Sequence, residues 1–173
     1  MAKQSTLRPS DVVVACQLTI TPDVQFIQLA QSTGLSTGEC HNAVRRMRQA
    51  RIVLIDDRRP AGDVLANFLV NGVPFAFPPI VGAETIGVPT AHSAHPFATI
   101  VETTDRFVWP DSGGAVRGQS LVPLFPGAPM LAGSNAPLYE LLTIVDALRV
   151  GTTRIRRAAA DLIAERLAVP AAR

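Results

Sequence analysis

The sequence predicts an α+β fold in which helical segments at both ends enclose a proline-rich middle that contains β-strands. Eleven of the fourteen prolines fall between residues 56 and 137, among other turn-forming residues. The first 55 residues and residues 138–168 instead carry apolar residues at helical spacing. We expect one domain over residues 1–72. A second, over residues 73–173, would end in a pair of helices and serve dimerisation or the binding of a ligand or partner.

The charges are unevenly distributed along the chain, although the net charge is only +2. Residues 1–60 hold eight basic and five acidic residues, residues 61–147 hold two and seven, and residues 148–173 hold six and two. Two basic ends therefore flank an acidic middle. Basic ends are suited to contact with a polyanion, and a chance distribution of so few charges is the alternative.

The composition also predicts the cellular compartment. Two cysteines, Cys16 and Cys40, are too few for a disulfide framework, which indicates a reducing environment. The first ten residues contain no apolar stretch of the signal-peptide type. No apolar run approaches the roughly 20 residues that span a bilayer. We therefore expect a cytoplasmic protein that does not enter a membrane.

The first two helices are predicted from their start and stop residues. Ser10 as the N-cap and Asp11 in the first turn predict a helix that covers DVVVACQLT. The run Thr21–Asp23 supplies an N-cap, a proline at the first helical position and a first-turn acid for a second helix. Gly34 is typical of the position just past the end of that helix.

The start of a third helix is marked most sharply. Ser36 and Glu39 form an S-x-x-E capping box, which predicts a helix from about Thr37 to Gln49. Its apolar side chains share one face, and its polar and basic side chains share the opposite face and its flanks. The apolar face holds Cys40, Ala43, Val44 and Met47, and the other side holds Gly38, His41, Asn42, Arg45, Arg46, Arg48 and Gln49.

The segment LAQSTGLSTGECHNAVRRM resembles the helix-turn-helix of the MarR-like and related winged-helix transcriptional regulators. The resemblance covers about residues 8–55. It depends on an alanine in the second helix, a glycine in the turn, an apolar residue and a serine that open the third helix, and two apolar residues within it. These are Ala30, Gly34, Leu35, Ser36, Cys40 and Val44. The resemblance implies DNA binding by the third helix and a two-stranded wing after it.

The residue types of the third helix independently suit the reading of double-stranded DNA. The major groove admits one α-helix, in which Asn42 can pair with adenine and Arg45 with guanine. His41 and Gln49 can reach bases or sugars, and the remaining cations can contact phosphates, which position the protein without specifying sequence. The expected DNA-binding residues are Thr37, Gly38, His41, Asn42, Arg45, Arg46, Arg48, Gln49, Arg58 and Arg59. The alternative is a solvated helix face in a domain that does not bind DNA.

The segments after the third helix are less sharply defined. IVLIDD can form the first strand of a wing with Arg58-Arg59-Pro60 at its tip, but GDVLANFLVNG is equally typical of a short helix. A short wing and no wing therefore both stay open. In the proline-rich middle, VPFAF, FATIVE, RFVW and SLVPLF predict short strands, and Gly113-Gly114 predicts a turn between strands.

Two helices are predicted at the C-terminal end. LYELLTIVDALRVG carries an apolar stripe from Leu138 to Leu148 and ends at Gly151, and RIRRAAADLIAERL forms the last helix. This stripe and the stripe from Val12 to Leu18 can cover the sheet or pair with a second copy. Because two-fold dimers engage two DNA half-sites, we expect a homodimer. Four arginines cluster at the junction of the two helices: Arg149, Arg154, Arg156 and Arg157.

Two other features suggest chemistry but have simpler interpretations. His92 and His95 in TAHSAHP have a spacing that could contribute to a metal site, yet prolines bracket the segment and favour a structural loop. Cys40 lies on the apolar face of the third helix, which favours a buried thiol over a redox sensor. We expect no catalytic residue, no metal and no cofactor.

Taken together, these patterns predict a sequence-specific DNA-binding transcriptional regulator and not an enzyme. One alternative is an antitoxin-like or defence-operon protein that binds DNA together with a partner protein encoded by a small adjacent reading frame. A further alternative is a metal-dependent hydrolase that uses His92 and His95.

Overall fold

The computed structural model describes residues 6–54, 57–100 and 104–167, and it has the predicted α+β architecture. Helices form both ends of the described chain, and a small three-stranded sheet lies between them in sequence. The two ends share one hydrophobic core, because buried residues of the first and last helices belong to the same cluster. Among the described residues, no helix is both long enough and apolar enough to cross a membrane.

Three helices pack together at the start of the chain: α1 (Pro9–Ile20), α2 (Phe26–Thr33) and α3 (Thr37–Gln49). α1 begins earlier than predicted, because its cap is Arg8 and not Ser10. The Asp11 carboxylate accepts a hydrogen bond from the Arg8 backbone N–H at 2.9 Å. Pro9 fits the first helical position, where no N–H donor is needed.

The predicted start of α2 at Thr21–Asp23 is wrong, because Thr21 ends α1 instead. The Thr21 backbone N–H donates to the Gln17 carbonyl at 3.0 Å, and its hydroxyl accepts from the Gln17 side-chain amide at 2.9 Å. α2 begins only at Phe26. Its end is as predicted, since Gly34 takes a φ of 74°, in the left-handed region that glycine adopts without strain.

In the described part of the chain, a minimal hairpin follows α3 at the position of the predicted wing. Among the described residues, the hairpin is held by one antiparallel bridge between Val53 and Pro60. The adjacent Ala61 backbone N–H donates to the Ile52 carbonyl at 2.9 Å. Residues 55 and 56, which belong to the predicted strand IVLIDD, lie outside the described residues.

A continuous helical stretch comes next and consists of α4 (Gly62–Asn67), a π-helical turn (Phe68–Gly72) and α5 (Val73–Ala76). The strand predicted for VPFAF is therefore wrong. Pro74 comes directly after the π-helical turn, in the first turn of α5, whereas a strand ladder would need the N–H donor that proline lacks. The expected domain boundary after residue 72 falls within this helical stretch.

The sheet consists of β1 (Val81–Thr90), β2 (Phe107–Pro110) and β3 (Val116–Leu121), which wrap into a small closed arrangement. β1 pairs antiparallel with both other strands, and β2 and β3 are parallel over two residue pairs. Gly87 takes part in both antiparallel pairings. A Cβ atom at this position would lie 2.0 Å from the Trp109 carbonyl oxygen, so the approach of β1 to β2 requires glycine.

The strand predictions for the middle of the chain are confirmed only in part. RFVW and SLVPLF overlap β2 and β3, and the predicted glycine turn lies between them, where the Gly114 N–H donates to the Asp111 carbonyl at 3.1 Å. FATIVE begins with a 3₁₀ turn over Phe97–Thr99, and its residues 101 and 102 lie outside the described residues. The longest strand, β1, was not predicted.

The C-terminal helices follow the predicted pattern. The short α6 (Leu131–Ser134) precedes α7 (Ala136–Val150), which ends at Gly151, and α8 (Thr153–Leu167). The stripe from Leu138 to Leu148 is buried within the chain, and so are the residues from Val12 to Leu18. Neither stripe is therefore available as the dimer surface that the sequence suggested.

A buried polar network fastens α7 to the sheet. The Asp146 carboxylate accepts hydrogen bonds from the Thr90 hydroxyl at 2.8 Å, the Trp109 indole N–H at 2.7 Å and the Arg149 guanidinium at 2.7 Å. Arg149 also donates to the Phe77 carbonyl at 2.8 Å. Arg149 belongs to the arginine cluster predicted at the junction of the two C-terminal helices, but it is buried, because it compensates the charge of Asp146.

Candidate nucleic-acid interface

α3 has the predicted boundaries and the predicted cap. The Ser36 hydroxyl accepts a hydrogen bond from the Glu39 backbone N–H at 3.2 Å, and the Glu39 carboxylate accepts from the Ser36 backbone N–H at 2.9 Å. The Ser36 hydroxyl also donates to Glu39 at 2.7 Å. These hydrogen bonds stabilise the ionised carboxylate and lower the pKa of Glu39. The first turn of α3 is thereby fixed, and its acid is engaged locally.

The two faces of α3 are separated as its periodicity predicts. The apolar residues Cys40, Ala43, Val44 and Met47 are buried against α1 and α2. The opposite side is open to solvent and carries amide, imidazole and guanidinium groups but no acid other than Glu39. Its exposed members are Thr37, Gly38, His41, Asn42, Arg45, Arg48 and Gln49.

Arg46 is the exception among the predicted contact residues. Its side chain is 9% exposed, and its guanidinium donates to both carboxylate oxygens of Asp11, at 2.8 and 2.5 Å. These hydrogen bonds raise the pKa of Arg46. The pair joins α3 to the first turn of α1, so the expected phosphate contact of Arg46 is not supported by its position. The sequence indicated the flank of the helix on which Arg46 lies but not the acid that covers it.

The hairpin loop lies beside α3 through its residues 57–59. The Asp57 carboxylate accepts from the backbone N–H groups of Arg58 at 2.6 Å and Arg59 at 3.1 Å, which forms a tight turn. The Arg48 guanidinium reaches the Asp57 carbonyl at 3.4 Å. The arginines at the expected wing tip are thus brought next to the C-terminal half of α3.

A second contact holds this loop near the N-terminal half of α3. The Phe26 ring stacks on the His41 ring with centroids 3.6 Å apart and an interplanar angle of 22°. The guanidinium carbon of Arg58 lies over the Phe26 ring, 4.8 Å from its centroid. Arg59 makes a solvent-exposed ion pair of 4.0 Å with Asp23, just before α2. Phe26 was not among the predicted site residues, because no basic residue lies near it in the sequence and its contacts with His41 and Arg58 arise only in the folded chain.

The predicted contact residues therefore form one surface, with the single exception of the buried Arg46. Arg58 is half-buried and Arg59 is exposed, and both belong to the hairpin loop beside the open side of α3. Arg51, which follows α3 and takes a φ of 59°, is a further exposed cation that the sequence analysis did not include. Such a surface can form hydrogen bonds to base edges and ion pairs to phosphates.

The two histidines of the loop between β1 and β2 are not brought together for metal binding. His92 is buried edge-on against Phe107, whereas the side chain of His95 is 69% exposed and lies 3.7 Å from Glu140. Burial lowers the pKa of His92. Within residues 6–54, 57–100 and 104–167, no group of three or more His, Cys, Asp or Glu side chains could hold a metal ion.

Both cysteines are buried thiols, as expected for Cys40. Burial raises the pKa of Cys16 to about 12 and also raises the pKa of Cys40. A thiol is reactive only as the thiolate, so neither environment favours redox chemistry. Cys40 instead contributes packing volume to the inner face of α3.

The candidate site is therefore the open side of α3 together with the hairpin loop. It combines side chains that can read bases with cations that can contact phosphates, and its position is set by the buried face of α3. Comparison of the chain with protein-family models, with curated proteins and with solved structures finds no match.

Proposed function

We propose that this protein is a sequence-specific DNA-binding regulator of transcription that inserts α3 into the major groove. The observation that carries the proposal is the exposed side of α3, with Asn42 and Arg45 at its centre and arginines along its border. One α-helix fits the major groove, and asparagine and arginine are the side chains that pair bidentately with adenine and guanine.

The elements around α3 support a helix-turn-helix with a reduced wing. α1, α2 and α3 pack together, and the short hairpin bridged by Val53 and Pro60 follows α3, where a wing is expected in the MarR-like regulators. In this arrangement, Asn42 and Arg45 contact bases, and Thr37, Arg48 and the arginines of the hairpin contact phosphates. The kinship with that family is part of the proposal.

The local charges also favour a polyanion. Five arginines of α3, its C-terminal end and the hairpin loop reach this surface: Arg45, Arg48, Arg51, Arg58 and Arg59. Three described acids contact these elements at the surface, namely Glu39, Asp57 and Asp23, and the last of them pairs with Arg59. The arginines outnumber these acids, which favours a polyanion on the side that would approach DNA.

A binding titration tests the proposal directly. The protein is first used to select sites from genomic DNA, and the affinity for a selected duplex is then measured by fluorescence anisotropy at several salt concentrations. The log of the binding constant should fall with the log of salt, with a slope of about −0.9 for each phosphate contacted. Arg45→Ala should weaken binding, whereas Arg117→Ala, which removes an exposed arginine of β3, should not. Absence of selected sites, or salt-independent binding, would refute the proposal.

A second candidate function is favoured by an apolar surface outside the site. Ile80 is 64% exposed, and its carbonyl accepts from the backbone N–H of Val122, which is 47% exposed. Such residues are typical of protein-binding surfaces, as expected for an antitoxin-like or defence-operon protein. Co-expression with the product of an adjacent small reading frame tests this. The complex should form, and Val122→Ser should weaken it.

A further inference from the structure

We propose that Phe26 is a positioning residue that couples the hairpin loop to α3, so that Arg58 and the base-reading helix engage DNA as one unit. This inference rests on the proposed function, because it assigns Arg58 a phosphate contact. Phe26 itself touches no DNA in this proposal. It acts through the two side chains that it contacts.

The geometry at Phe26 provides the first argument. This ring, at the first position of α2, stacks on His41 of α3 and also lies under the guanidinium of Arg58. Aromatic stacking and a cation–π contact both depend on a flat ring, and an aliphatic side chain of similar volume makes neither. One side chain therefore connects three elements of the candidate interface: α2, α3 and the hairpin loop.

The weak anchoring of the hairpin provides the second argument. Among the described residues, its strand pairing is the bridge from Val53 to Pro60, and its loop turn is held by Asp57. Neither of these contacts fixes the long side chain of Arg58. A flexible arginine must lose rotamer freedom when it binds a phosphate, and a contact that orders it beforehand reduces that loss.

The path of the loop along α3 provides the third argument. His41, Arg45 and Arg48 follow each other at intervals of four and three residues, so they lie along one side of the helix. The loop reaches both ends of this row. At one end Arg58 lies over Phe26, which stacks on His41, and at the other end the Asp57 carbonyl accepts from Arg48. Arg58, in the hairpin loop, is thereby held next to the side of α3 that contains Arg45, which reads bases in the proposed function.

A purely structural role is the competing explanation, because Phe26 is half-buried and packs against the hydrophobic core. The two explanations differ in the salt dependence of binding. A packing residue would change the stability of the fold without changing the number of phosphates contacted. A positioning residue would change that number, because Arg58 would no longer be held in place.

The test measures DNA affinity against salt for the full chain and four variants: Phe26→Leu, Phe26→Tyr, Arg58→Ala and the double variant of Phe26→Leu with Arg58→Ala. Phe26→Leu should reduce the steepness of the log–log slope by up to about 0.9, the value for one phosphate. It should also weaken binding about two- to fivefold, as expected for one exposed cation–π contact. Phe26→Tyr keeps the flat ring, so its salt slope and its DNA affinity should equal those of the unaltered protein. In the double variant, Phe26→Leu should add no further change in slope to that of Arg58→Ala.

Circular dichroism and thermal melts verify that each variant is folded, and Phe26→Met replaces Phe26→Leu if the latter does not fold. Phe75→Leu, at an exposed aromatic outside the interface, is the matched control and should bind as the unaltered protein does. If the unaltered protein binds no DNA, the proposed function fails. If it binds with a slope that Arg58→Ala reduces but Phe26→Leu does not, only the positioning role is overturned. If Arg58→Ala leaves the salt slope unchanged, Arg58 contacts no phosphate, and the positioning role of Phe26 is overturned as well.

Discussion

The guanidinium of Arg46 forms a two-pronged ion pair with the carboxylate of Asp11, across 35 residues of sequence and almost out of contact with solvent. The same carboxylate caps the first turn of α1 by accepting from the Arg8 backbone N–H. One acid therefore caps the start of α1 and anchors α3. The pair ties α3 directly to the first turn of α1, beside the buried apolar face of α3.

Breaking this pair should destabilise the fold. Asp11→Ala leaves the Arg46 guanidinium with little solvent and no counter-charge, and we expect a loss of about 3 kcal/mol in the free energy of unfolding. Urea denaturation followed by circular dichroism measures it. Arg45→Ala, one residue away and exposed, is the control and should stay within about 0.5 kcal/mol. Equal stability of the two variants would contradict a structural role for the pair.

Substitutions on the open side of α3 should alter specificity. Asn42→Ala and Arg45→Ala should each cost about 1–3 kcal/mol at the preferred site and relax the sequence preference, because each removes a side chain to which the proposed function assigns a bidentate base contact. Arg48→Ala should weaken all sequences to a similar extent. Site selection from a random duplex library measures these preferences. An unchanged preference in both Asn42→Ala and Arg45→Ala would show that another element reads the bases.

The cap of α3 should contribute measurably to stability. Ser36→Ala removes the hydroxyl that accepts from the Glu39 N–H and donates to its carboxylate, and the free energy of unfolding should fall by about 0.5–2 kcal/mol. Ser36→Asp restores an acceptor at the cap and should recover part of the loss. Thermal melts of the three proteins test this prediction, which an unchanged melting temperature for Ser36→Ala would contradict.

Acid should destabilise the protein through His92. Burial lowers the pKa of His92 below its ordinary value of 6.5, so the folded state binds this proton less readily than the unfolded state. The corresponding stability is present above pH 6.5 and is lost as the pH falls from there through the folded-state pKa. Urea midpoints at pH 7.5 and pH 5.5 measure this loss. His92→Gln should reduce the difference between them, and an unchanged difference would contradict this prediction.

The protein should act on DNA as a homodimer. A single small module buries only about 600–1,000 Å² on DNA, which gives little discrimination among genomic sites, and two-fold dimers solve this by engaging two half-sites. Light scattering should report twice the chain mass of 18.4 kDa, and the bound site should be an inverted repeat. A monomer that protects one asymmetric half-site would contradict this. The dimer surface must lie outside the two apolar stripes, since both are buried within the chain.

The sequence determined those features that depend on interactions over a few residues. The capping box of Ser36 and Glu39, the helical periodicity after it and the left-handed glycine at Gly34 predicted α3 and the turn before it correctly. A cap acts on the N–H groups of the next turn, and amphipathic spacing repeats within two turns. Such signals are visible in a single segment, so the open side of the helix could be predicted from them.

Only the tertiary structure decided which polar groups are free. Arg46 and Arg149 have the same residue type as Arg45, yet each is buried because an acid, Asp11 or Asp146, compensates its charge. β1 was missed for a related reason, since it is stabilised by pairing with two strands distant in sequence and not by a local pattern. The contact of Phe26 with His41 and Arg58 likewise brings together residues of three elements. A buried charge, a strand and a stacked ring each require a partner that is close in space. Such a partner can be distant in sequence, so no local pattern reveals it. The sequence therefore predicted the helix that bears the candidate site but not the contacts that orient it.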